Sequence, residues 1–241
     1  MHEFTAQSHV EDLQQHEYDL PYHWCRSPFH NYVIQQGVQR FSDIVRGKTV
    51  LGVGCGDGYV TSLLATQAKY VLGFDISERA IAFAKLIVQM PNAEFVVGQA
   101  RDVLDIAKRI DDGPEVVAAF ELIEHLPRTE AETFLPAVRQ TLRERKGWLI
   151  GTTPNAERRR KPGAHAHYHG HEFGVSELID TLRSAGFENV EVSGLYLQPR
   201  SRRLEHYANT IPFRGVFRAL ARAGKSGPRR CRTLVFRAQA V

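Results

Sequence analysis

The chain reads as an α/β fold, a mostly parallel sheet with helices on both faces. Three observations predict it. Short apolar runs alternate with stretches of helical spacing along most of its 241 residues. The first clear run, Thr49 to Val53, enters a glycine-rich turn that opens a helix. The composition, 43% hydrophobic and 24% charged, is that of an ordinary globular protein long enough to bury a core without staples.

Ser27-Pro28 reads as an N-cap followed by proline at the first helical position. Ile34, Val38, Phe41 and Val45 then recur at helical spacing, and Gly47 ends that helix. After the strand Thr49–Val53, Tyr59 to Ala68 is helical and Tyr70–Phe74 is the second strand. Ser77 caps a helix to about Met90, Pro91-Asn92 turns the chain, and Glu94–Val97 is the third strand. Val116–Phe120 is the fourth strand, Thr129 to Arg143 a helix, and Trp148–Thr152 the fifth strand. Ser176 to Ala185 is helical, Val190–Leu195 is the sixth strand and Thr233–Arg237 the last. Alternation of this kind favours parallel pairing with crossover helices on both faces.

Cys25, Cys55 and Cys231 are scattered and odd in number, which suggests neither a disulfide framework nor a zinc site and fits a reducing compartment. No apolar run approaches the ~20 residues of a membrane span, and Met1-His2-Glu3-Phe4 lacks a leader's apolar core. The expectation is a cytoplasmic protein. The net charge of +4 is unevenly placed. From Arg200 onward eleven basic residues face one acid, Glu205, while the rest of the chain carries twenty basic against twenty-six acidic residues. This asymmetry suggests an anionic partner for the C-terminal part, or a solvated basic surface.

The turn Gly52-Val53-Gly54-Cys55-Gly56-Asp57-Gly58 carries the first chemical signal. A tight strand-to-helix turn needs positive φ, and a nucleotide cofactor must lie against bare backbone. Asp75 ends the next strand seventeen residues after Gly58, where a carboxylate can accept from both ribose hydroxyls. Gly98-Gln99-Ala100 ends the third strand, where an adenine edge would lie. Cys55 reads as a small spacer.

Together with Gly73-Phe74-Asp75-Ile76-Ser77, Glu121-Leu122-Ile123-Glu124-His125-Leu126, Thr152-Thr153-Pro154-Asn155 and His171-Glu172-Phe173, this turn resembles the successive motifs of class I S-adenosylmethionine (SAM)-dependent methyltransferases. The resemblance covers roughly Lys48 to Leu195. It implies a Rossmann-like seven-stranded sheet in the order 3-2-1-4-5-7-6, with SAM held by Gly52, Gly54, Cys55, Gly56, Gly58, Asp75, Ile76, Gln99, Ala100 and Phe120. It divides the single domain into an N-terminal helical lid (1–47), a cofactor-binding core (48–197) and a basic insert (198–231) before the last strand. Two positions depart from the family. Gly52 stands where an acid usually orients the cofactor's methionine end, and Gln99 stands where an Asp usually meets the adenine amino group. The first departure leaves room for a SAM-binding module without catalysis.

The Glu121-x-x-Glu124-His125 segment resembles both the ubiquinone-biosynthesis O-methyltransferases and the small-RNA 3′-terminal 2′-O-methyltransferases. The RNA enzymes imply a divalent metal ion on Glu121, Glu124, His125 and His171. The other reading is that acid and imidazole hold loops by hydrogen bonds, with His125 or His171 as a base. Tyr18 to Trp24 reads as a lid over the cofactor or as an anchor for the first helix. Alternating His165, His167, His169 and His171 follow Arg158-Arg159-Arg160-Lys161, a run that adds positive charge or forms a solvated turn. In the insert, Phe213, Val216, Phe217 and Leu220 oppose Arg214, Arg218 and Arg222 on a basic amphipathic helix. Such a helix docks on its own domain, grips RNA phosphates or rests on a membrane. The expected reaction is methyl transfer to a hydroxyl oxygen of a small metabolite, anionic or lipid-linked. A metal-dependent RNA 3′-terminal methyltransferase is the alternative.

Overall fold

The computed structural model describes residues 21–25, 28–158, 171–197, 215, 218–220 and 227–241. The strands are β1 (Thr49–Val53), β2 (Tyr70–Asp75), β3 (Ala93–Val97), β4 (Val116–Phe120), β5 (Trp148–Pro154), β6 (Glu188–Leu197) and β7 (Cys231–Gln239). They form one seven-stranded sheet in the order β3-β2-β1-β4-β5-β7-β6, the order that the motifs imply. Only β7 runs antiparallel, pairing with β5 and β6 on its two sides. The sheet's carboxyl edge is therefore built from the ends of β1 to β6 and the start of β7.

Alternation along the strands sends side chains into two cores. Leu51, Val53, Leu72, Phe74, Val117, Leu149 and Phe236 pack against α5 (Val103–Ala107), α6 (Arg128–Arg143) and α7 (Val175–Ser184). Val50, Val71, Val116, Ile150 and Val235 pack on the other face against α1 (Pro28–Gln39), α2 (Ser42–Val45) and α3 (Tyr59–Ala65). A smaller cluster of Ile81, Ala84, Val88 and Phe95 lies beneath α4 (Glu78–Ile87).

The expected first helix is two helices. Arg40 and Phe41 donate back to Gly37 and Val38, three residues away, and the Ser42 hydroxyl bonds to the Gln39 carbonyl at 2.9 Å. That tightened end breaks the helix and lets Val38, Phe41, Ile44 and Val45 all enter the core. No element is expected between Ala100 and Asp111, yet a 3-10 turn, Ala100–Asp102, leads into α5 there. Five residues are too few to show a helical period. The strands β5, β6 and β7 each extend beyond their apolar runs because pairing, not hydrophobicity, sets their ends. Among the described residues no helix is long and apolar enough to cross a membrane.

The tightest backbone approach is at Gly151 on β5. A Cβ there would lie 2.0 Å from the Ala119 carbonyl oxygen and 2.6 Å from Phe236 Cζ. Gly151→Ala is expected to cost about 3 kcal/mol, lowering the unfolding midpoint by roughly 6–12 °C. Gly52→Ala, where a Cβ meets nothing nearer than 3.6 Å, should move it little. Calorimetry on both variants checks the contrast.

Candidate cofactor and methyl-transfer site

The turn after β1 folds back on β2. Cys55 N donates to the Phe74 carbonyl at 3.0 Å, and Gly58 N to the Cys55 carbonyl at 3.1 Å. Gly54 sits at φ +64°, and a Cβ on it would fall 2.7 Å from Leu122 Cδ1. Gly58, at φ +80°, caps α3 in the left-handed region. Both positions need glycine, and together they leave a strip of bare backbone at the sheet's carboxyl edge. Burial pushes the Cys55 thiol well above its usual range, and the charge of Asp75 adds to that, which disfavours the thiolate.

Asp75 closes the turn. Its Oδ2 accepts from Gly56 N at 2.8 Å and its Oδ1 from Ser77 N at 2.9 Å. A carboxylate oxygen can accept about two hydrogen bonds, so each oxygen keeps a lone pair for a further donor. Burial raises the pKa of Asp75, the bonds from Ser77 and Gly56 oppose that, Asp57 raises it and His23 lowers it. Beside Asp75 opens a cavity of ≈ 560 Å³ lined by Ile76, Ser77, Gly98, Gln99 and Asp102, among others. Gln99 N is held by Asp102 Oδ2 at 2.9 Å, which fixes the turn that carries Ala100. Phe120, half-buried at the end of β4, meets Phe41 edge-on at 5.8 Å. The expected cofactor residues thus line one continuous edge, from the glycine turn through Asp75 to Gln99.

Asp57, given no role in the sequence reading, ties the end of the segment read as a lid or an anchor to the glycine turn. Asp57 is 0% exposed. Its carboxylate accepts from His23 N at 2.6 Å and pairs with His23 Nδ1 at 2.9 Å. Trp24 Nε1 donates to the Asp57 carbonyl at 3.1 Å, and its ring meets Tyr59 edge-on at 5.1 Å. The segment Pro21–Cys25 is thereby fastened onto the glycine turn. An acid among glycines at a strand end was the available signal, since a carboxylate buried there needs donors from elsewhere in the chain.

The expected metal ligands do not converge. Glu124 is 0% exposed, its Oε2 accepting from Thr153 Oγ1 at 2.9 Å, and its Oε1 has no hydrogen-bond partner among the described residues. Burial first, and then the charge of Glu121, hold its carboxyl well above the usual range. Glu121 is exposed, with φ +49°, directly after β4. His171 turns away: its Nε2 lies 2.6 Å from Glu177 Oε1, and its ring packs edge-on against Phe173. Only its backbone reaches the segment, His171 N donating to the Glu124 carbonyl at 3.1 Å. Among the described residues no group of three or more His, Cys, Asp or Glu is placed to hold a metal ion. The described residues do not gather the four around one ion, and the His171 ring is paired through Nε2 with Glu177. His125, half-buried, remains at the β4 end. His165, His167, His169, Arg159, Arg160, Lys161, Arg214 and Arg222 lie outside the described residues.

A doubly covered sheet in this order, with a glycine turn and a strand-end acid at one edge, is the architecture of a nucleotide-cofactor site. A family model described as "Methyltransferase domain" matches residues 26–192, and the chain belongs to that family. A "Probable S-adenosylmethionine-dependent methyltransferase" of Mycobacterium tuberculosis is 29% identical over 223 residues, covering 91% of this chain and 74% of that protein. A "Ubiquinone biosynthesis O-methyltransferase" of Acinetobacter baumannii is 28% identical over 173 residues, 65% of this chain and 70% of that one. In fold, the chain is similar to a SAM-dependent methyltransferase of Thermotoga maritima described as a possible histamine N-methyltransferase. The TM-score is 0.64 at 17% identity, covering 88% of this chain and 91% of that one. The protein is a SAM-dependent methyltransferase.

Proposed function

We propose that this enzyme transfers the methyl group of SAM to a hydroxyl oxygen of a small metabolite, anionic or lipid-linked. The observation that carries oxygen as the acceptor atom is the likeness to the ubiquinone-biosynthesis O-methyltransferase, joined to a Glu-x-x-Glu-His segment at the β4 edge. Asp75 takes the ribose hydroxyls on its two remaining lone pairs, and the Gln99 side chain accepts from the adenine amino group. Gly52, Gly54, Cys55, Gly56 and Gly58 offer backbone along the methionine end, with Ile76, Ala100 and Phe120 flanking the adenosine. The Asp57–His23 clamp keeps Tyr22 to Trp24 over the turn, where they exclude water. SAM supplies an already activated methyl group, so the chain's own work is alignment and removal of a proton. His125 takes the hydroxyl proton on an imidazole nitrogen as the new O–C bond forms.

The metal-dependent RNA reading needs Glu121, Glu124, His125 and His171 around one ion, and the described residues do not gather them. To test the oxygen reading, the chain is incubated with methyl-labelled SAM and a panel of hydroxylated aromatic and sugar acids beside matched amines. Label in ethers is expected. Label found only in methylated amines overturns oxygen as the acceptor, and SAM binding with no transfer to any acceptor leaves a binding module.

A further inference from the structure

The segment Pro21–Cys25 closes on itself and is fastened at one residue. Cys25 N donates to the Pro21 carbonyl at 3.1 Å, which makes the segment a single turn. Three hydrogen bonds then run from it to Asp57: from His23 N at 2.6 Å, from His23 Nδ1 at 2.9 Å and from Trp24 Nε1 at 3.1 Å. Their donors belong to two adjacent residues and their acceptors to one. Ring contacts add to them. The His23 ring lies nearly parallel to those of Tyr59 and His30, at 6.2 and 6.3 Å, and Trp24 meets Tyr59 edge-on. His23 and Trp24 lie outside the core clusters, and the outer side of the turn meets solvent, with Trp24 and Cys25 exposed.

The base of this contact is rigid. Asp57 stands between Gly56, whose N is held by Asp75 Oδ2 at 2.8 Å, and Gly58 at the left-handed cap of α3. Tyr59, the ring beneath the turn, is buried, and its hydroxyl accepts from Gln35 Nε2 at 3.0 Å, which ties it to α1. One side of the contact is thus anchored to β2, α1 and α3, while the other is a short turn at the surface. Breaking the three bonds leaves the cores untouched and returns the Asp57 carboxylate to water, which hydrates it. The penalty of an unpaired buried charge therefore does not oppose opening. Few contacts at the surface open locally, without the rest of the fold. These bonds also lie wholly within the chain, so a cofactor is not needed to make them.

We infer that the pairing of His23 with Asp57 is a latch that sets how fast SAM and its demethylated product exchange. This rests on the reading above, which lays SAM along the glycine turn. With the latch made, Tyr22 to Trp24 cover the turn. With it broken, the segment lifts away and Gly54 to Gly58 stand open. A latch of internal contacts slows entry and departure alike, so it changes both rates and leaves Kd nearly unaltered. Asp57 and His23 are then positioning residues, acting through the segment they hold and not by touching the cofactor.

Trp24 and Trp148 are the two tryptophans of the chain, so Trp148→Phe leaves Trp24 as a reporter of the segment. In that background the full chain is mixed with SAM, or with its demethylated product, in a stopped-flow fluorimeter, and release is followed after adding an excess of the other. If Trp24 emission gives no signal, filtration of labelled SAM supplies the same rates. His23→Ala removes the Nδ1 bond and keeps the backbone one. It should raise association and dissociation rates together by about tenfold or more, the worth of one hydrogen bond to a charged group, with Kd changed less than about threefold. His23→Asn carries an N–H donor on the same side-chain carbon and should restore slow exchange. Unchanged rates in His23→Ala overturn the latch. A loss of affinity carried by dissociation alone also overturns it, by making His23 a fixed wall of the cofactor site. Exchange as fast in His23→Asn as in His23→Ala overturns the part given to the Nδ1 bond. Failure of the wild type to bind SAM would instead overturn the reading beneath the latch.

Discussion

Asp75→Ala is expected to weaken SAM and its demethylated product alike, by about 1–3 kcal/mol, or roughly 5- to 150-fold in Kd. The side chain is the one carboxylate among the expected cofactor residues. It also ties Gly56 N and Ser77 N, so its removal loosens the turn as well as the ribose contact. Asp75→Asn keeps one acceptor oxygen and should fall between wild type and alanine. The pH dependence gives an independent reading. Burial raises the Asp75 pKa above the ordinary carboxyl value, so the empty protein holds its proton to higher pH. A carboxyl raised on folding favours the folded state fully only below its unfolded pKa, and that contribution is lost as pH rises through the folded one. Ribose hydroxyls donating to the ionised form reverse the shift, so SAM binding expels a proton. Affinity, and the rise in unfolding temperature that SAM produces, should therefore grow with pH through the raised Asp75 pKa and then level off. Asp75→Asn should flatten that slope. Unchanged affinity in Asp75→Ala, measured by titration calorimetry, would remove Asp75 from the site.

The cofactor half of the site was legible because its chemistry is local. Gly54, Gly58 and Asp75 act within a turn and at a strand end, and each leaves a residue type at a fixed spacing. The strand order was legible through the same motifs. What stayed hidden depends on long-range contact. The Asp57–His23 clamp joins residues thirty-four positions apart, and nothing in either segment names the other. The break after Gln39 rests on one serine hydroxyl within an otherwise continuous apolar stripe. The metal reading failed at the tertiary level too. Glu121, Glu124, His125 and His171 have the right types and spacing, but Thr153 takes Glu124 into the core and Glu177 takes the ring of His171. Glu177 lies in the first turn of α7, where a sequence reading sees only a favourable helix start.

His125→Gln should lower kcat by about 10²- to 10³-fold while leaving SAM affinity unchanged, because general-base catalysis is worth about 10²–10⁴ and glutamine cannot accept the proton. Imidazole and carboxamide are close in size, and His125 N keeps its bond to the Leu122 carbonyl at 2.9 Å, so the β4 loop should hold its shape. His171→Gln should change kcat only a few-fold, since its ring is engaged by Glu177. Glu124→Gln should also change kcat little, because burial favours a neutral group there and the amide oxygen can still accept from Thr153. The contrast among these three variants carries the assignment. Equal losses at His125, His171 and Glu124 would mean that they act as one unit, as shared ligands would, and would restore the metal reading. A wild-type rate in His125→Gln would leave the hydroxyl proton to water and reduce His125 to a loop contact.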